Sequence, residues 1–134
     1  MRNFFLIAFF FPCVLYAQNT TKAKKAYAKA AEFYQKNNDK KAKELALSSV
    51  RQDENYLPSY LLLGQIEEEG GNIELAIDNY LKGISDNNPD NAWGYWKVGM
   101  LYMQIPNYVE AQRAFNHFLT FKYQNSKKIE SARK

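Results

Sequence analysis

Apolar residues recur at intervals of three and four along most of the chain. Tyr95, Val98, Gly99 and Tyr102 form one such run, and Tyr108, Ala111, Ala114/Phe115 and Phe118 form the next. Upstream, Tyr60, Leu63, Gly64 and Ile66 lead on to Ile73, Ala76, Ile77, Tyr80 and Ile84. Such spacing gathers apolar side chains on one face of an α-helix. Breakers separate the runs: "KNND", "GGN" and "IPN" at short turns, "DENYLP" and "NNPDN" at longer ones. Asn38, Asn72 and Asn107 stand where a short side-chain oxygen can accept from the first free amides of a helix. Glu110, three residues after Asn107, adds a start like a capping box. The pattern predicts six helices of roughly 12 to 17 residues and no strand.

The runs also repeat. The small residues Ala30, Gly64 and Gly99 are 34 and 35 residues apart, and so are Ala42, Ala76 and Ala111. Two independent markers agree on one period, and the extra residue falls in the loop "SDNNPDN". The chain therefore holds three copies of one unit, over about 21–57, 57–90 and 91–124. The third unit reads Tyr95-x2-Val98-Gly99-x2-Tyr102 and then Ala111-x3-Phe115. In the second, Tyr60-x2-Leu63-Gly64 is followed by Ala76-x3-Tyr80 and Pro89. These residues resemble the tetratricopeptide pattern of W-x2-L-G-x2-Y, A-x3-F and a closing proline. The first unit departs most, with Ala30 for the glycine, Ala42-x3-Ala46 for the alanine–aromatic pair and no proline. The resemblance implies that Ala30, Gly64, Gly99, Ala42, Ala76 and Ala111 sit where paired helices cross. It also implies that Tyr80, Tyr102 and Phe115 pack the repeats, with Tyr80 and Phe115 between one unit and the next. Stacked units of this kind share a core that a single pair cannot build.

The ends of the chain change the picture. Met1, Arg2 and Asn3 precede the apolar run Phe4–Leu15 and then "YAQ". The run is too short for a membrane span, which needs ~20 apolar residues. It fits a secretory signal peptide over 1–17, cut after Ala17. Phe11 and Pro12, bulky and rigid, stand where a lipoprotein signal places small residues, so Cys13 leaves with the signal. The rest of the chain then has no cysteine and is held by its core alone. Beyond Gln124, "NSKKIESARK" starts another helical run, capped by Asn125 or Ser126. The expected architecture is thus all-α: a right-handed α-solenoid of three helix pairs over 18–124, followed by the start of a capping helix over 125–134.

The formal charge of +4 is concentrated near the ends, in Lys22 to Lys43 and Lys127 to Lys134. With acidic residues through the middle, it reads as a solvated face and not as a nucleic-acid footprint. Candidate chemistry is sparse. His117 is the single histidine and has no serine or carboxylate at a telling spacing. Glu67, Glu68 and Glu69 are consecutive, so they point in different directions on a helix and form no metal cage. Gly70-Gly71-Asn72 lacks the Lys-Ser/Thr of a phosphate loop. No catalytic residue, metal site or cofactor is expected.

What remains is a surface. In arrays that resemble tetratricopeptide repeats, the first helix of each unit lines a concave groove. Carried onto this sequence, the lining is Lys24, Tyr27, Ala31 and Tyr34, then Leu61, Gln65 and Glu68, then Trp93, Trp96, Met100 and Met103. The third set is out of helical phase with Tyr95, Val98, Gly99 and Tyr102. The sequence leaves it open whether Trp93, Trp96, Met100 and Met103 face a groove or the core. Lysine-rich grooves that grip carboxylates are not matched here. An aromatic and thioether groove suits a protein or peptide with apolar anchors. The function expected is a non-enzymatic periplasmic or outer-membrane-associated scaffold, touching membrane only through its signal peptide or a partner. A second reading is the N-terminal interaction module of a larger envelope protein. It rests on similarity to outer-membrane-associated proteins whose repeats precede a propeller and a peptidoglycan-binding domain like that of outer-membrane protein A. A third is glycan binding by stacking on Trp93 and Trp96.

Overall fold

The computed structural model describes residues 11–85 and 92–132, with side chains placed for 18–85 and 93–121. Most of the expected signal peptide, residues 1–10, lies outside the described residues, as does the "NNPDN" turn. Six helices follow one another: α1 Phe11–Gln35, α2 Asp39–Gln52, α3 Leu57–Glu69, α4 Ile73–Gly83, α5 Ala92–Gln104 and α6 Tyr108–Ala132. No strand occurs among the described residues. The chain divides into two compact units, 1–59 and 60–134, with the division inside α3.

Two helices differ from expectation. α1 and α6 each run for 25 residues. α1 starts at Phe11 and passes without a break through the Ala17–Gln18 position, where cleavage is expected. α6 continues through Asn125 and Ser126, so no separate capping helix starts there. Nothing between Asn116 and Ala132 is a proline or glycine. A lone asparagine or serine costs a helix only tenths of a kcal/mol, about 0.5, too little to stop it.

The three short turns share one construction. Asn37, Gly71 and Pro106 have φ of 56°, 77° and 21°. The next residue in each case donates its N–H to a carbonyl five residues back: Asn38 to Phe33, Asn72 to Glu67 and Asn107 to Tyr102, each at 2.9 Å. This 6→1 bond around a left-handed residue is the Schellman helix stop. The residues at positive φ are themselves 34 and 35 apart, which adds a third marker to the period. Asparagine and glycine suit that conformation, whereas the proline ring favours φ near −65°. Pro106→Gly should therefore stabilise the fold by about 1 kcal/mol, the net of relieved strain and a freer unfolded chain. A higher urea midpoint with an unchanged slope would register it.

The three caps are not alike. Asn38 accepts the Lys41 N–H at 3.2 Å, and Asn107 accepts that of Glu110 at 3.4 Å. Asn72 makes no such bond. Its side-chain amide instead donates to Glu67 at 2.8 Å, because that carboxylate is almost fully buried and must be satisfied. Glu110 carries its side chain to Arg113 at 2.5 Å, so the reciprocal half of a capping box is missing.

In the first unit α1 packs on α2 through small residues. Ala23, Ala30, Ala42 and Ala46 are fully buried. Ser49 donates to the Ala23 carbonyl at 2.8 Å and accepts from Ser59 at 2.7 Å, which satisfies two buried hydroxyls. In the second unit the core is Ala76, Ile77, Tyr80, Val98, Leu101 and Ala114. Gly64 and Gly99 are the points of closest approach between paired helices. A methyl on Gly64 would lie 2.8 Å from the Tyr80 ring, and one on Gly99 would lie 2.5 Å from that of Phe115. Each ring packs inside its own helix pair, sixteen residues after its glycine, whereas the expectation named only a place between units. Tyr80 does both, since it also meets Trp93 of α5 edge-on at 5.9 Å.

Candidate functional site: an apolar stripe on α5

α5 turns two faces in different directions. Val98, Gly99 and Leu101 are buried, and Tyr95 is half-buried, stacked between His117 at 5.0 Å and Phe121 at 5.7 Å. The His117 ring thus serves as a stacking partner for Tyr95 on the surface of α6. The other face carries Trp93, Trp96, Met100 and Met103, whose spacing of three, four and three residues makes a single stripe along the helix. Their exposures are 38, 44, 43 and 46%. All four therefore lie on the surface of the second unit. A gap-filling role for Met103 and a core position for Trp96 are both set aside by these exposures.

The stripe is anchored at one end. The Trp93 ring stands edge-on to Tyr80, whose hydroxyl donates to Glu68 Oε2 at 2.7 Å. Glu68 Oε1 accepts from Lys97 Nζ at 2.7 Å, an ion pair joining α3 to α5. Both side chains are about two-thirds to three-quarters covered, so solvent screens this pair less than it does the exposed pairs Lys36–Glu32, Lys41–Glu44 and Lys82–Asp78. Glu68 is accordingly committed within the fold and is not offered to a partner as a free carboxylate. Of the three consecutive glutamates, Glu67 ties down the turn, Glu68 bridges α3 and α5, and Glu69 is exposed. Helical phase predicted that they diverge. It gave no sign that two of them are structural, because their partners lie 5 to 29 residues away.

The remaining lining residues divide. Leu61, expected in the groove, is partly buried and packed against the core of the second unit, with its side chain against Gly83. Its helical phase sets it beside α4, which approaches closely because Gly83 has no side chain. Gln65 is half-buried on α3. In the first unit Tyr27 and Tyr34 are half-buried, and Tyr27 meets Tyr56 edge-on at 5.6 Å. Burial raises the pKa of the Tyr56 phenol, with a smaller contribution from Tyr27. Tyr102 is raised in the same way, by burial and then by Glu110. Both phenols stay protonated and neutral at physiological pH. Among the described residues no group of three His, Cys, Asp or Glu is placed to hold a metal ion. No described helix is long and apolar enough to cross a membrane.

Helix pairs of one period, with the same stop between the helices of each pair and a small residue at the crossing, make an all-α fold of the tetratricopeptide-like kind. Two crystal structures of MamA share this fold, with TM-scores of 0.73 and 0.71 at 22 and 23% identity. Each match covers 81% of this chain, but the chain spans only 63 and 58% of the two MamA chains. No family model matches the chain, and no curated protein sequence matches it. At this identity the likeness carries the fold, and the function is argued from the surface.

Proposed function

We propose that the protein is a non-enzymatic, exported scaffold that binds a partner protein through the exposed face of α5. The observation that carries this is the unbroken stripe of Trp93, Trp96, Met100 and Met103, four large apolar side chains left in water on one helix face. Tryptophan supplies a large contact area with few rotatable bonds, and methionine adapts to irregular partners. An amphipathic helix or extended segment with apolar anchors fits such a surface. The fold shared with MamA supports the reading, since repeated helix pairs offer extended faces for proteins to lie on.

The short apolar run after a basic start supports export to the periplasm or outer membrane, with cleavage after Ala17. Mass spectrometry of the protein recovered from its producing cells should find Gln18 at the N-terminus; an intact Met1 there would overturn the export signal.

The double variant Trp96→Ala/Met100→Ala tests the surface. Because both side chains are already exposed, the loss in stability should stay near or below about 1 kcal/mol. Capture of the envelope partner should fall at least about tenfold, the usual effect of truncating apolar anchors. A large loss of stability with undiminished capture would show that these residues belong to the core.

A further inference from the structure

A second surface, made of other residues than the α5 stripe, lies on the first helix pair. A pocket of about 270 Å³ opens between α1 and α2, lined by Lys22, Lys25 and Lys29 on one side and Leu45, Ser48 and Gln52 on the other. The three lysines follow the i, i+3, i+7 spacing of one helix face and span roughly 10 Å along the axis. All three are exposed, and none belongs to an ion pair among the described residues. Of the acidic groups nearby, Glu44 pairs with Lys41 and Asp53 with Thr20, while Glu32 pairs with Lys36 and also feels the charge of Lys29 more weakly. Residues 18–59 hold nine basic against five acidic side chains, so the local field favours an anion.

We propose that this pocket docks an acidic segment of a partner protein, with successive carboxylates paired to Lys22, Lys25 and Lys29. The row of separate ammonium groups matches charge spread along a chain better than charge gathered on one phosphate. A compact phosphate site is usually built from backbone N–H groups or an arginine fork. The mid-helix face here offers neither. The Ser48 hydroxyl and the Gln52 amide can serve a peptide backbone, and Leu45 gives its methylenes an apolar floor. The proposal rests on the reading of the chain as a protein-binding scaffold, but it uses a different surface with different chemistry.

Fluorescence anisotropy of a labelled hexaglutamate peptide against the full chain tests it. Binding should weaken at least about tenfold in Lys22→Gln/Lys25→Gln/Lys29→Gln, since three charge pairs are lost together. It should weaken less than about threefold in Lys24→Gln/Lys40→Gln/Lys43→Gln, which removes equal charge from positions that do not line the pocket. Circular dichroism establishes that both variants are folded, and the single variant Lys25→Gln gives a graded effect if the triple one is not. Equal weakening in the two triple variants would reduce the effect to net charge and overturn the proposal. So would tighter binding of tripolyphosphate than of hexaglutamate, or no peptide binding at millimolar protein. Trp96→Ala/Met100→Ala should bind hexaglutamate unchanged; loss of binding there would move the site to α5 and also overturn it. The α5 reading stands or falls separately, on capture of the envelope partner.

Discussion

Gly64→Ala should destabilise the protein by about 2 kcal/mol, although alanine is favoured over glycine inside a helix by ~1 kcal/mol. The sign is reversed by Tyr80. A methyl at position 64 would lie 2.8 to 2.9 Å from three atoms of its ring. That ring has nowhere to go: it is fully buried, its hydroxyl is bonded to Glu68, and Trp93 stands against its side. Gly99→Ala meets the Phe115 ring at 2.5 Å, but Phe115 is only half-buried and can swing outward. Its cost should be under about 1 kcal/mol once the gain in helix propensity is counted. In a Tyr80→Ala background, Gly64→Ala should become neutral or stabilising. The coupling can be read from a double-mutant cycle by urea denaturation. Equal effects of the two glycine substitutions, or no coupling to Tyr80, would show that ring contact is not the cause.

Tyr80→Ala should produce the largest loss of any single truncation, about 4 kcal/mol, the range for emptying an aromatic site in a core. Tyr80→Phe separates the parts. It keeps the ring against Gly64 and Trp93 but removes the donor to Glu68, and should cost about 1 to 2 kcal/mol. Lys97 remains on the other carboxylate oxygen, so Glu68 keeps one partner. Tyr80→Ala should also change the fluorescence of Trp93 through loss of the edge contact, whereas Tyr80→Phe should leave it nearly unaltered. Similar stability losses for the two variants would mean that the hydroxyl, and not the ring, dominates.

The fold was largely legible because periodicity acts twice. Spacing of three and four located the helices, and the 34-to-35 period carried the pair of small residues that decides how closely helices cross. Helix length at the ends was harder to read. α6 runs on because it holds no proline or glycine, the one proline of α1, Pro12, falls in the first turn of Phe11–Gln35 where a helix tolerates it, and polar composition alone does not stop a helix. On α5 phase separated Trp96 and Met100 from Val98 and Gly99 but left open which set faces water, and it did not single out Leu101, which is fully buried. Phase failed at Leu61, which lies close to α4 only because Gly83, 22 residues later, makes room. It could not reveal the Tyr80–Glu68–Lys97 network, whose members meet only once α3, α4 and α5 have assembled. The lysine pocket was equally hidden, since Ser48 and Gln52 reach it from another helix.

The offset of sixteen residues between each crossing residue and its partner bears on how such a chain can change over time. Gly64 faces Tyr80, Gly99 faces Phe115, and at the equivalent places of the first unit two alanines, 30 and 46, are both fully buried. Glycine with a ring and alanine with alanine are two solutions to one spatial problem. Passing between them by single substitutions is not symmetric. Adding the methyl first forces a clash, whereas removing the ring first leaves a cavity that the methyl then partly fills. Copying a whole unit avoids both intermediates, because the matched residues are duplicated together.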